Sequence, residues 1–484
     1  MPRDPGTVGV GVFQTSKGLK AAGRGHPRLD LAFLEKRGFG AIPGDAQPLP
    51  AGNGRALVAV GLGKQASLDA EGLRSAGAAL MRSARSAKVT IGLSGIVPNS
   101  LGIQGASQAF AEGALLASYE FRTYKNGNGG PEARKPELLT LVGAPQGGLN
   151  EGIRRASVSA RATASARDLI NQPPSDMTPI DFSEIAVELA RVGGLGIEVW
   201  EEDRIAEEKL GGVLGVSAGS AQPPRFLRVT YRKGASPVAL IGKGVTFDSG
   251  GLSLKSASGM ETMKTDMSGA AAVICTMSAL EEFGVKIPVV GYIPLVENMP
   301  GGGATKPGDV LRARNGKTIE VLNTDAEGRL ILADALCLAV EAKPAAVVDL
   351  ATLTGACSVA LGDRIAGLMG NNDRLLAAIE AAAFRSGEGL WRLPLPSQYR
   401  KHIESEVADI KNVGAPGGQA GALTAGLFLA EFAGDGPWAH LDIAGPARSN
   451  VDDDYLKRGG TGFGVRTLIE FLSSFTRAGL APRR

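Results

Sequence analysis

Residues Asn323-Thr324-Asp325-Ala326-Glu327-Gly328-Arg329-Leu330 set two carboxylates and a guanidinium within five positions, directly ahead of an apolar run. Carboxylates this close repel each other unless a cation lies between them. A solvated acidic pair would more often be followed by polar residues than by Leu330-Ile331-Leu332-Ala333. The stretch reads as half of a metal site. The other half is expected on a tight loop, Lys243-Gly244-Val245-Thr246-Phe247-Asp248-Ser249-Gly250-Gly251, followed by Lys255 and Asp266. Asp248, Asp266, Asp325 and Glu327 then carry four negative charges, the complement of two divalent cations. Two cations held by bridging carboxylates can share a water, lower its pKa and clamp the oxygens of a tetrahedral intermediate, so hydrolysis is the expected chemistry.

Lys243 fits this company as a neutral amine ligand or as an ion-pair partner, and its spacing leaves both open. Lys255 and Arg329 are read as cations that stabilise a developing oxyanion or hold an anion that accepts the water's proton. A serine nucleophile is not indicated, because Ser249 lacks the Gly-x-Ser-x-Gly context. The three histidines, His26, His402 and His440, are far apart in sequence, which argues against a histidine-based zinc site. His440 alternates with apolar neighbours in Trp438-Ala439-His440-Leu441-Asp442 and reads as a core histidine on a strand. A two-metal phosphatase or nuclease would use similar carboxylates but would usually add histidines, which these clusters lack. A structural ion-pair network accounts for Asp325, Glu327 and Arg329 taken alone, not for two clusters at matching strand ends.

These groups need elements to hold them. Val238 to Ile241 reads as a buried strand ending at Lys243, Ala270 to Phe283 as the helix that follows, and Ile287 to Val296 as another apolar strand. The helix Leu330 to Ala342 and the strand Ala346 to Leu350 repeat the pattern. Strand, long crossover and strand imply parallel pairing, and in such open sheets ligands gather beyond the carboxyl ends of strands, where Lys243 and Thr352 to Gly355 sit. Upstream, Val8 to Phe13, Ala56 to Val60, Val89 to Leu93 and Leu138 to Val142 read as strands. Helices are expected near Leu68 to Ser86 and Ser107 to Ser118, giving an α/β domain. Gly61-Leu62-Gly63-Lys64-Gln65 lacks phosphate-loop spacing and reads as a strand-to-helix turn. The expected organisation is an amino-terminal α/β domain over 1–150, a connecting helix and linker over 151–177 that ends at Pro173-Pro174, and a catalytic α/β domain over 178–484 with Phe182 to Val192 as its first helix and Ile197 to Trp200 as a strand.

Composition narrows the rest. A chain of 484 residues with 44% apolar content exceeds what one core usually covers. Met1-Pro2-Arg3-Asp4-Pro5 leads into no apolar segment, and no run of about 18 apolar residues occurs, so a cytoplasmic protein without a membrane span is expected. Cys275, Cys337 and Cys357 are odd in number and lie in apolar surroundings, as buried free thiols do. The net charge of +3 is uneven: residues 1–150 hold 17 Lys and Arg against 10 Asp and Glu, leaving −4 for the remainder. That +7 permits DNA binding as a secondary reading, although Arg82, Arg85 and Lys88 read more simply as a solvated helix face. A salt-dependent shift of duplex DNA would favour it, and no retention at low ionic strength would reject it.

Gly242 to Gly251, Lys255, Met263-Lys264-Thr265-Asp266-Met267, Asn323 to Leu330 and His440-Leu441-Asp442-Ile443-Ala444-Gly445 together resemble the leucyl (cytosol) aminopeptidase family. The likeness covers the whole second domain in order and spacing; the first resembles the family's macro-like amino-terminal α/β domain in outline. The resemblance implies a larger carboxyl-terminal catalytic domain with a mixed, largely parallel sheet, which removes amino-terminal, leucine-like residues from peptides. It implies two divalent cations per subunit, Mn2+ or Zn2+ first and Mg2+ or Co2+ next. By resemblance Asp248 and Glu327 bridge the cations, Lys243 as neutral ligand and Asp266 complete one, and Asp325 completes the other. Arg329 would hold a bicarbonate acting as general base, and Lys255 would polarise the scissile carbonyl. Met263, Asn323, Thr352, Leu353, Gly355 and Ala444 match positions lining the family's substrate pocket. A homohexamer is implied as well.

Overall fold

Val238–Gly242 is buried at every position, and such a run is stable only as an inner strand covered on both faces. The computed structural model describes residues 6–23, 26–50, 56–125 and 136–477. Met1–Pro5, read above as leading into no apolar segment, lie outside them. Val238–Gly242 pairs in parallel with Val289–Asn298 on one side and Ala346–Ala351 on the other. Ala346–Ala351 in turn pairs in parallel with Trp438–Asp442. These four form the centre of a nine-stranded sheet. Towards the edges the pairing becomes antiparallel, with Ile365–Gly370 on Trp438–Asp442 and Arg225–Tyr231 on Val289–Asn298. The sheet is therefore mixed and parallel at its centre, the α/β class read from the sequence.

The crossover helices form where their composition directs them. Ser268–Phe283 is almost wholly buried and stops at Gly284, whose φ of 92° supplies the left-handed residue that closes a helix. Its first turn lies hard against the strand ends. A Cβ on Gly269 would stand 2.2 Å from the Leu350 carbonyl oxygen, so only glycine permits this approach. Gly328–Glu341 is likewise buried along most of its length. Asp334, inside that helix, accepts from the backbone N–H groups of Gly212, Val213 and Arg314 at 2.7, 3.1 and 2.9 Å, tying it to two other segments.

One expectation is corrected. The sequence suggests a tight loop over Lys243 to Gly251, but Gly244–Asp248 is a strand paired in parallel with the end of Val289–Asn298. The strand is short and its register shifts between Val245 and Phe247, so the strict alternation that would mark it is lost. The turn begins only at Ser249, where Gly250 and Gly251 have φ of 86° and 60°.

Packing divides the chain into two units, Met1–Arg161 with Val451–Arg458, and Ala162–Asn450 with Gly459–Arg484. The division falls within the helix Gln146–Asn171. The first unit holds a six-stranded sheet in which Ala56–Gly61, Thr7–Thr15, Lys88–Gly92 and Leu138–Val142 run parallel. Its helices Ala70–Ser83 and Gly102–Ala117 pack together. Cys275, Cys337 and Cys357 are free and buried. Among the described residues no helix is long and apolar enough to cross a membrane.

Candidate metal centre

The carboxyl ends of the central strands carry the charged groups. Val238–Gly242 delivers Lys243, Gly244–Asp248 delivers Asp248, and the 3-10 turn Met263–Met267 delivers Asp266. Asp325 and Glu327 come from the turn before Gly328–Glu341, where the Asn323 side chain accepts from the Asp325 N–H at 2.9 Å. Lys243, Asp248, Asp266 and Glu327 are buried, and Asp325 is half-buried. Buried charges persist only when paired or bound to metal.

Lys243 uses its three donors fully. Its Nζ lies 2.8 Å from Asp266 Oδ1, 2.8 Å from Glu327 Oε1 and 2.9 Å from the Thr352 carbonyl oxygen. Gly328 is obligatory beside it, because a Cβ there would stand 2.6 Å from Lys243 Cε. Burial by itself would lower the Lys243 pKa, but Asp266, Glu327 and Asp248 outweigh that and raise it above the ordinary lysine range. Lys255 Nζ reaches Asp248 Oδ2 at 2.8 Å and pairs with Asp325. Asp248 Oδ1 accepts from the Gly250 N–H and from Asn298 Nδ2, both at 2.8 Å.

The acidic groups are strained by their setting. Burial pushes Asp266 and Glu327 upwards; the neighbouring carboxylates push further, and the Lys243 ammonium pulls back. Burial also raises Asp325, with Lys255 pulling it down. Ligand oxygens of Asp248, Asp325 and Glu327 converge within 4.8 Å of one another. Glu327 Oε2 is buried and has no hydrogen-bond partner among the described residues. An orphaned carboxylate oxygen on a residue of a three-carboxylate cluster suits a hard divalent cation, and this donor set fits the metal that the sequence implied.

Arg329 is buried, stacks over the Phe428 ring at 5.9 Å, and its Nε has no hydrogen-bond partner among the described residues. Burial lowers its pKa to about 10, against the pull of Glu327 and Asp442, so it stays charged at neutral pH. His440 is wholly buried with Nδ1 2.5 Å from Asp349 Oδ1, as the core reading expected.

A cavity of about 670 Å3 opens above these groups. Lys243, Asp248, Lys255, Asp266, Asp325, Glu327 and Arg329 all line it, as do Met263, Thr352, Leu353, Gly355 and Ala444. Asn323 is not among the lining residues; it shapes the turn from behind, with its carbonyl accepting from Asn412 Nδ2 at 2.7 Å.

The cytosol aminopeptidase family, catalytic domain, matches residues 164–469, and the amino-terminal domain of the same family matches residues 34–128. The chain belongs to the cytosol aminopeptidase family. It is a metal-dependent aminopeptidase, a hydrolase of peptides. A "Probable cytosol aminopeptidase" of Streptomyces avermitilis is 44% identical over 97% of this chain and 96% of its own length. One of Geobacter sulfurreducens is 43% identical over 87% and 85%. Among solved structures, "Bottromycin maturation enzyme BotP" superposes with a TM-score of 0.86 at 38% identity, covering 97% of this chain and 98% of that one. The same enzyme in complex with Mn superposes at 0.87.

Two buried side chains at the site escape sequence reading. Asn298 joins Asp248 to the Thr324 carbonyl, to which it donates at 2.9 Å. Asp442 Oδ1 accepts from the N–H groups of Leu353, Thr354 and Ala444 at 3.2, 3.4 and 3.2 Å, and Oδ2 from Thr354 Oγ1 at 2.6 Å. Asp442 thereby holds two lining loops in one geometry. In the sequence Asn298 closes an apolar strand together with Glu297, and Asp442 ends a strand that also carries His440, so neither stands out by charge or spacing.

Proposed function

We propose that the chain removes amino-terminal residues, leucine-like ones by preference, from peptides at a two-cation site. The observation that carries this reading is the convergence of Asp248, Asp325 and Glu327 within 4.8 Å at the floor of the cavity, with Lys243 and Asp266 beside them. In this reading Asp248 and Glu327 would be shared by the two cations, Lys243 and Asp266 would help to hold one, and Asp325 would help to hold the other. Bound there, two divalent ions, Mn2+ or Zn2+ and otherwise Mg2+ or Co2+, supply an activated water and electrophilic binding of the scissile carbonyl. Four carboxylates balance their charge.

The chain's own residues set the remaining terms. The carboxylates that keep Lys243 charged would be engaged by the cations, and its burial then favours the neutral amine, a ligand. Lys255, in contact with Asp248 and Asp325, would turn its ammonium to the carbonyl oxygen as negative charge develops. Arg329 would fix a bicarbonate as proton acceptor with its guanidinium, whose Nε has no hydrogen-bond partner among the described residues. Met263, Leu353 and Ala444, beside Thr352 and Gly355, give the cavity apolar surface of the kind a leucine-like side chain prefers, and Asn323 shapes the turn that carries Asp325.

The test is hydrolysis of a leucine anilide by protein stripped of metal and then resupplied with Mn2+, Zn2+, Co2+ or Mg2+. Activity is expected to return with at least one ion; none with all four would refute the reading. A cytoplasmic homohexamer follows from the same family reading, and a monomer in sedimentation would remove the assembly. DNA binding stands as a secondary role on the +7 charge of residues 1–150, subject to the salt-dependent shift described above.

A further inference from the structure

Four cations line the cavity. Lys243, Lys255 and Arg329 belong to the acidic centre, and Arg448 does not. It stands on the short strand Arg448–Ser449, fixed by antiparallel pairing with Gly459–Gly460. Arg448 is half-buried, and Nη2 donates to the Asn450 side-chain oxygen, which also lines the cavity. Among the described residues it makes no ion pair. Asp363, the one other charged lining residue outside the acidic centre, is exposed and lies 3.9 Å from Arg364. A guanidinium held by one neutral partner keeps donors free in the planar arrangement that matches a carboxylate.

An aminopeptidase places the substrate's amine and first carbonyl at the acidic centre. The remaining chain must then extend along the same cavity, which at about 670 Å3 has room for more than one residue. We propose that Arg448 receives the free α-carboxylate of a di- or tripeptide, making short peptides with an ionised carboxyl terminus the favoured substrate class. This rests on the aminopeptidase reading above and adds a specificity-determining residue to it. The bland alternative is a rim charge that serves solubility alone.

The test compares kcat/KM for Leu-Gly and Leu-Gly-Gly with that for their carboxyl-terminal amides, using the metal-loaded full chain. At least one free acid should be preferred over its amide by roughly tenfold, the order expected for a charge-assisted pair. Arg448→Met should bring that ratio close to one, whereas Arg448→Lys should keep part of it. In the unmodified protein the ratio should also shrink as ionic strength rises, because the site is only half-buried. No preference in the unmodified protein, or the same preference in Arg448→Met, overturns the proposal. Leucine anilide, which has no carboxylate, separates the two readings. Its hydrolysis with no acid-over-amide preference sinks the Arg448 assignment alone, and its resistance to every metal-loaded preparation sinks the parent reading.

Discussion

Asp248→Asn is the sharpest perturbation of the centre, because it changes charge while keeping shape. Asp248 Oδ1 accepts from the Gly250 N–H and from Asn298, both at 2.8 Å, and an amide oxygen in the same place keeps both bonds. What changes is the Oδ2 side, which faces Lys255 at 2.8 Å. At an effective dielectric near 20, losing that attraction costs about 6 kcal/mol. The repulsions from Asp325 and Glu327, at no more than 4.8 Å, amount to at least about 3.5 kcal/mol each and disappear with the charge. Gain and loss nearly cancel, so the fold without metal should change by no more than about 1–2 kcal/mol. A divalent cation, by contrast, interacts twice as strongly as an ammonium with a carboxylate at the same distance, and the relieved repulsions offset only part of that loss. Activity on a leucine anilide is therefore expected to fall on the order of 10^3-fold, with bound metal per chain reduced in elemental analysis. Urea unfolding of the stripped proteins should give similar midpoints. Full activity with full metal content would show that Asp248 is no ligand. A collapse of stability without metal would show that it is scaffold.

Arg329→Ala should retain bound metal and slow turnover by about 10^2–10^3-fold, the size expected for a removed electrostatic partner of the reaction; turnover within twofold of the unmodified protein would remove Arg329 from the catalytic set. Asp334→Ala should lower unfolding free energy by about 3–5 kcal/mol, since three backbone N–H groups, two of them buried, lose their acceptor at once. A loss under about 1 kcal/mol in urea titration would mean that those segments relax to find other partners.

The scaffold is legible in the sequence because its segments are long and uniform. Val238–Gly242, Ser268–Phe283 and Ala346–Ala351 differ from their sequence-based bounds by at most two residues at either end. Each is nearly all apolar, so burial alone specifies it. Leu138–Val142 is legible despite its partial exposure, because its β-type run is bounded by a proline upstream and a glycine downstream. Gly244–Asp248 is hidden for the opposite reason: its stability comes from a neighbour some fifty positions on, through Asn298 and the Val289–Asn298 strand, and nothing local records that.

The same contrast runs through the site. Asp325, Glu327 and Arg329 stand out because like charges crowd within five positions, an arrangement that local structure alone does not reward. Asn298 and Asp442 give no such signal, since a polar residue closing a largely apolar strand resembles the start of any turn. Their importance is topological. Parallel strands must all end at the same edge of the sheet, so side chains separated by 26 to 89 positions become neighbours there. One amide or carboxylate can then fix several loops together. Groups bearing opposing charges are thus positioned by polar partners whose own sequence context is bland, and the loops at the strand ends are tied to one another as well as to the sheet. Asp442 holds Leu353, Thr354 and Ala444 by accepting their N–H groups, which couples the shape of the apolar wall to the strand that also carries His440.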